Sequence, residues 1–244
     1  KVVSLCHVAS QCGNRIEVEK IFNYIKKNFP TVICVLDACQ SIGQVEVDVK
    51  KINCDVLVGS GRKYLRGPRG TGFIYINDKI REKINPMILD MRNSEIIGDQ
   101  IKVKKSNIFE NFEFSPSLQV GLSKALERVN KYGIYKIEQN IIRKSKYFRK
   151  KLENFNQITF FENLNTLTGI NTLKIKGFSS LKIYTYLLSK GILCSISKHS
   201  SSLLYFKKFK VNDLIRISIH QYNSYEDINY LVKCLIDLIT KKAI

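Results

Sequence analysis

The sequence predicts an α/β fold whose mostly parallel sheet carries a site along its carboxyl edge, and three observations predict it. Strand-like apolar runs alternate with segments of helical spacing from Lys1 to Ile76, the order that builds a parallel sheet. The run Val32-Ile33-Cys34-Val35-Leu36 ends in Asp37, and an acid at the carboxyl end of a buried strand points into a site. The run closing at Gly59-Ser60 is followed by Gly61-Arg62-Lys63-Tyr64-Leu65-Arg66-Gly67-Pro68-Arg69-Gly70-Thr71-Gly72, a turn of glycines and cations suited to an anion.

Taken in order, Lys1 to Leu5 read as a strand, and Cys6-His7-Val8-Ala9-Ser10-Gln11-Cys12-Gly13 as the loop leaving its carboxyl end. Val18, Ile21, Phe22, Ile25 and Phe29 recur at helical spacing, and Pro30 stops that helix. Strands follow over 32–36 and 55–59, and Phe73-Ile74-Tyr75-Ile76 returns from the lysine turn. The polar stretch 78–112, with Pro86 and Gly98, predicts loop and lid material around a cleft. Ser115 or Ser117 then caps a helix that carries Leu118, Leu122, Ala125, Leu126 and Val129 on one face. An amphipathic segment over 134–155 links two lobes, and strands and helices alternate after it over 171–175, 181–188, 192–196, 214–219 and 228–239. The division expected is 1–133 for the larger lobe and 134–244 for the linking helix and a small α/β lobe.

With 244 residues, 44% of them hydrophobic, the chain can bury a sizeable core. The balance of 40 Lys and Arg against 21 Asp and Glu gives +19, which raises nucleic acid or an anionic membrane as partners. The cations are spread over polar faces beside many Asn and Ile residues, and only 143–151 and 207–210 cluster, so neither partner is expected. Seven cysteines occur without a Cys-x-x-Cys pair, and Cys34 and Cys234 lie in apolar runs, so reduced core thiols, no metal and a cytoplasmic location are expected.

Lys63 lies among cations, and crowding together with burial disfavours its ammonium form, which leaves an amine able to attack an aldehyde. A solvated basic hairpin would use the same residue types. Asp37 tilts the balance: at the end of the neighbouring strand it can keep a pyridine nitrogen protonated while a lysine forms the aldimine, the two functions that pyridoxal phosphate demands. Arg216 lies in the apolar run Leu214-Ile215-Arg216-Ile217-Ser218, where an unpaired guanidinium is costly, so it needs an anion, either a core carboxylate or the carboxylate of a substrate.

These residues resemble the class V aminotransferase branch of the fold-type I pyridoxal-phosphate enzymes, which includes cysteine desulfurases, isopenicillin N epimerase and ergothioneine-pathway C-S lyases. Leu36-Asp37-Ala38-Cys39-Gln40-Ser41-Ile42-Gly43 is similar to the family's D-x-x-Q-x-x-G segment, Gly61-Arg62-Lys63 to its cofactor-lysine turn, and 214–218 to its carboxylate-binding arginine strand. The resemblance covers nearly the whole chain and implies pyridoxal phosphate held by Lys63, with Asp37 on the ring nitrogen. It also implies Gln40 and Ser10 on the phenolic oxygen, with Gln11 a rival to Ser10, and Ser60 and Arg62 on the phosphate. Arg216 would bind the α-carboxylate of an amino-acid substrate. His7 is a packed histidine or a catalytic one. Ser115 corresponds to a junction that approaches the phosphate of a partner subunit, and a homodimer is implied. The family carries a considerable N-terminal portion before the segment that matches Lys1, so a truncated chain is expected.

Two departures bear on the reaction. Arg62 stands where desulfurases have His, and Arg-Lys-x-Leu-Arg-Gly-Pro-Arg-Gly looks more like the ergothioneine-lyase and epimerase side. Ser197-Lys198-His199-Ser200-Ser201-Ser202 holds no cysteine where the desulfurases carry their persulfide-forming thiol. A C-S lyase or aminotransferase-like activity is therefore expected, with a cysteine desulfurase or epimerase as the alternative within the family. A non-catalytic remnant or a basic nucleic-acid binder is the alternative of another class.

Overall fold

A computed structural model describes residues 1–240. Strands β1 (Val2–Cys6), β2 (Ile33–Asp37) and β3 (Val56–Ser60) are parallel and β4 (Gly72–Ile76) returns antiparallel, giving a sheet in the order β1-β2-β3-β4. Strand β2 alternates, with Cys34 and Leu36 fully covered, so its partner face carries Asp37 to the carboxyl edge opposite Cys6 and Val58. Helix α1 (Val18–Asn28) lays Val18 and Phe22 on the sheet beside Cys34, Leu36 and Leu57. Each large apolar side chain buried there contributes about 2 kcal/mol. Lys26 of α1 pairs with the buried Asp55, which also accepts from the Cys34 amide at 2.7 Å and so ties helix to strand. Helix α2 (Val49–Ile52) starts at Asp48, whose carboxylate accepts from the Lys50 and Lys51 amides and so caps the helix.

The polar stretch after β4 is more ordered than expected. Besides the short helix α3 (Asp78–Arg81) it forms a hairpin, β5 (Ser94–Ile97) and β6 (Gln100–Val103), joined by Gly98-Asp99. Gly98 has φ 60°, which a two-residue hairpin turn requires at that position. The Gly-Asp dipeptide between two short β-prone runs was the signal for it.

Helix α4 (Pro116–Tyr132) begins after Ser115, whose hydroxyl faces that of Ser117 rather than capping the helix. Gly133 separates it from α5 (Ile134–Lys150), which carries Ile137, Ile141 and Phe148 inward. A second sheet, all antiparallel, runs β7 (Ile158–Phe160), β8 (Ile170–Ile175), β10 (Asp213–Ser218), β9 (Ser195–Lys198). Helices α6 (Ser180–Ser189) and α8 (Tyr225–Thr240) pack on it around Leu173, Ile183, Ile215 and Leu235. Strand β9 starts three residues later than its apolar run suggests. The Ile192 amide closes on Leu187 and Gly191 on Leu188, so the start of that run ends α6. Strand β7 and helix α7 (Leu203–Phe209) were not foreseen. No helix among the described residues is long and apolar enough to cross a membrane.

The two sheets meet through polar ties. Arg15 pairs with Glu138 of α5 at 2.8 Å, and the other Glu138 oxygen accepts from the Glu46 amide at 2.7 Å. Gly169 allows the closest approach: a β-carbon there would lie 2.3 Å from the Ile219 carbonyl and 2.6 Å from the Tyr64 hydroxyl. Any side chain at that position would push the end of β10 away from the lysine turn.

Candidate active site

The turn after β3 is pinned by its own backbone. Gly61 donates to Thr71 (3.0 Å), Gly67 to Gly61 (2.8 Å) and Arg66 to Lys63 (2.9 Å), while the Thr71 hydroxyl donates to Pro68 (2.7 Å). Tyr64 and Leu65 are buried and anchor it, leaving Arg62, Lys63 and Arg66 on its accessible side.

A cleft of about 440 Å³ lies between this turn, the loops after β1 and β2, and the end of β10. Of the residues expected in a site, Ser10, Gln40, Arg62, Lys63 and Arg216 line it. Asp37 and Ser60 do not; they sit half-buried at the ends of β2 and β3. Asp37 nonetheless stands at the edge from which the lysine turn departs, since it pairs with Val58, two residues before β3 ends. The Cys39 amide donates to Asp37 Oδ1 at 2.9 Å. Burial, and then its bond to Asp37, push the Cys39 thiol up to about 11.

Arg216 is held without a carboxylate. Its Nε donates to Ser195 Oγ at 2.9 Å and its Nη1 to the Ser10 carbonyl at 2.7 Å, and no acidic residue among those described pairs with it. Burial pulls its pKa below the usual arginine range. A guanidinium kept partly desolvated beside an open cleft, with its donors only part-used, is arranged to receive an anion.

His220 also lines the cleft, together with Ser218, and neither was singled out from sequence. Arg216, Ser218 and His220 follow the two-residue period of β10 and its continuation, and that alternation was the available signal. The His220 ring lies against Tyr64 (centroids 5.4 Å apart, 18°) and Tyr222 (4.6 Å, 21°). Its Nδ1 accepts from the Tyr222 amide, so Nε2 carries the proton and donates to the Tyr64 carbonyl at 2.9 Å. The segment leaving β10 is thereby bonded to the residue next to Lys63. Among the described residues, the buried Tyr64 hydroxyl has no hydrogen-bond partner, and neither has His7 Nδ1. His7 is packed away from this cleft and lines a separate depression with Arg15 and Glu46.

Both buried imidazoles are pushed down to about 4, His7 by burial and then Arg15, His220 by burial and then the cations Arg66, Lys144 and Arg128. Their folded pKa lies below the unfolded 6.5, so their contribution to stability is complete above pH 6.5 and is lost as the pH falls toward 4. Glu162, pushed by burial from 4.5 up to about 7, acts in the opposite sense and favours the folded chain as the pH falls. Two imidazoles against one carboxyl give a net loss on the order of 2–3 kcal/mol between pH 6.5 and 4.5. Urea midpoints across that window should fall accordingly, and a flat profile would show that the imidazoles are not buried uncharged.

A family model described as Aminotransferase class-V matches residues 1–231. A probable cysteine desulfurase of Pyrococcus abyssi (strain GE5 / Orsay) is 30% identical over 244 residues, an alignment covering 98% of this chain and 60% of that protein. A cysteine desulfurase of Wigglesworthia glossinidia brevipalpis is 29% identical, covering 97% and 57%. Among solved structures, the apo cysteine desulfurase of Thermococcus onnurineus NA1 superposes with a TM-score of 0.88 at 27% identity, covering 99% of this chain and 60% of that one. The cystine C-S lyase C-DES, solved with its reaction product cysteine persulfide, has the same fold, with a TM-score of 0.83 at 21% identity, covering 97% and 61%. The chain thus spans about 60% of the length of the relatives it matches.

Proposed function

This chain belongs to the class V aminotransferase family, and we propose that it is a pyridoxal-phosphate enzyme that cleaves the C-S bond of a sulfur-containing amino acid. The observation that carries this is one cleft of about 440 Å³ lined by both Lys63 and Arg216, an arginine with no carboxylate partner among the described residues. The donor set fits the cofactor. Lys63 offers an amine, Asp37 a carboxylate in the same neighbourhood, Gln40 an amide and Arg62 a cation. The assignment follows the residue types: Lys63 holds the cofactor and moves a proton at its Nζ, and Asp37 holds the charge of the ring nitrogen. Ser10 and Gln40 bind the phenolic oxygen, and Ser60 and Arg62 bind phosphate. Bound pyridoxal phosphate withdraws electrons from the substrate's α-carbon and so weakens the bonds around it. Incubating the protein with pyridoxal phosphate and reducing with borohydride should label Lys63, read by peptide mass. A protein that binds oligonucleotides tightly and never takes the label would be a basic binder and not this enzyme.

Arg216 is assigned to the substrate's α-carboxylate. Arg216→Lys replaces a planar fork by a point charge, so KM should rise about tenfold with kcat changed less. An unchanged KM would return Arg216 to a packing role.

The names of the relatives favour a second reading, cysteine desulfurase. Against a persulfide on this chain stands the segment joining β9 to α7, His199 to Ser202, which is built of His and Ser. The nearest thiol in sequence, Cys194, precedes β9, and burial pushes it up to about 11. Treated with L-cysteine, the intact protein should carry no bound persulfide; one that disappears in Cys194→Ser would move the nucleophile there.

A homodimer is part of the same proposal. Met87, Ile88, Met91, Ile96, Ile101 and Val120 are exposed, and a second copy that covers such apolar side chains supports this reading. Sedimentation showing a folded, cofactor-loaded monomer would exclude it.

A further inference from the structure

We propose, resting on the assignment of this cleft to an amino-acid substrate, that the substrate carries a second anionic group at the far end of its side chain and that Arg66 receives it. The group is a carboxylate or another compact oxyanion.

The charge of the cleft is one-sided. Arg62, Lys63, Arg66 and Arg216 line it and no carboxylate does. A substrate with a neutral side chain answers only Arg216 and leaves the remaining cations to the cofactor. Arg62, two residues after Ser60, is assigned with it to the phosphate. Arg66 reaches another segment: its guanidinium carbon is 5.9 Å from the centre of the Tyr222 ring, which follows the Arg216 strand. Arg128 of α4 stacks on the same ring at 4.7 Å. Two guanidiniums therefore converge on one aromatic ring, and neither has a carboxylate partner among the described residues. Like charges gathered in this way repel, and an anion between them relieves the repulsion. Arg66 and Arg216 line the same cleft, so the two cations belong to one site.

The backbone supplies an independent observation. Arg66 has φ 61°, in the left-handed region, which is strained for a residue with a β-carbon. Glycine would occupy this position without strain, as Gly70 does at φ 82° in the same turn. In this conformation the guanidinium lies at the cleft against the Tyr222 ring, with no carboxylate among the described residues to hold it.

The test is calorimetric titration of the intact protein with glutarate and with valerate, which share a carbon chain and differ in the second carboxylate, each with and without saturating pyridoxal phosphate. Glutarate should bind at least about tenfold more tightly, as for one charge-assisted pair, and its advantage should shrink with added salt because Arg66 stands at an exposed rim. Arg66→Gly should reduce that advantage to less than about twofold, leave valerate binding unchanged and unfold at no lower temperature, since glycine suits the backbone there. Glutarate binding no more tightly than valerate, or an advantage that survives Arg66→Gly, overturns the proposal. An advantage that vanishes once pyridoxal phosphate is bound also overturns it, by giving Arg66 to the cofactor's phosphate. Borohydride labelling of Lys63 is scored separately: a glutarate preference without the label leaves an anion site and defeats the enzymatic assignment, whereas the label without the preference does the reverse.

Discussion

Lys63→Ala is expected to abolish covalent retention of pyridoxal phosphate and to lower turnover by at least about 10³-fold, since both the attachment point and the proton carrier go with the one amine. The turn should survive. Its hydrogen bonds, Gly61 to Thr71, Gly67 to Gly61 and Arg66 to Lys63, are all main-chain, and its anchors Tyr64 and Leu65 are the neighbouring side chains. The stability change should stay within about 0.5 kcal/mol, as for other substitutions that touch no buried group. Dialysis after loading would then strip the cofactor from the variant and leave it on the parent. A variant that keeps a borohydride-fixable adduct, or that turns over within tenfold of the parent, would place the reactive amine elsewhere.

The common edge of Asp37 and the Lys63 turn was legible because Asp37 ends β2 and the turn follows the end of β3: two adjacent parallel strands deliver their carboxyl ends to one edge. Arg216 was legible for an energetic reason, since a guanidinium in an apolar strand must find an anion. What sequence could not supply was which groups meet. The Arg216 bond to the Ser10 carbonyl joins residues 206 positions apart, and the His220 bond to Tyr64 spans 156. Local spacing carries no trace of such closures, although the alternation of Arg216, Ser218 and His220 hinted that they share a face. The register of β9 slipped because the end of α6 consumed part of an apolar run, a competition between helix C-cap and strand that composition does not resolve. The hairpin in 94–103 was hidden by its charged and polar neighbours, since its strands are exposed on both faces and show no buried alternation.

Asp37→Asn should separate charge from shape. The asparagine amide oxygen can accept from the Cys39 amide as Asp37 Oδ1 does at 2.9 Å, so the turn after β2 and its pairing with Cys6 and Val58 should persist. Cofactor retention should change only a few-fold, because the Lys63 bond and the phosphate contacts do not involve this carboxylate. Turnover should fall about 10²–10³-fold, the range for removing one preorganised electrostatic group from a reacting centre. A second readout needs no cofactor. The carboxylate, through its bond and its charge, is part of what pushes the Cys39 thiol up to about 11, so its neutralisation should bring that thiol down. The pH dependence of Cys39 alkylation in the unloaded protein should shift to lower pH in the variant, with the other six cysteines replaced by serine or alanine where they interfere. A shifted alkylation profile with full turnover would show that Asp37 shapes its neighbourhood electrostatically but does not hold the cofactor's ring nitrogen.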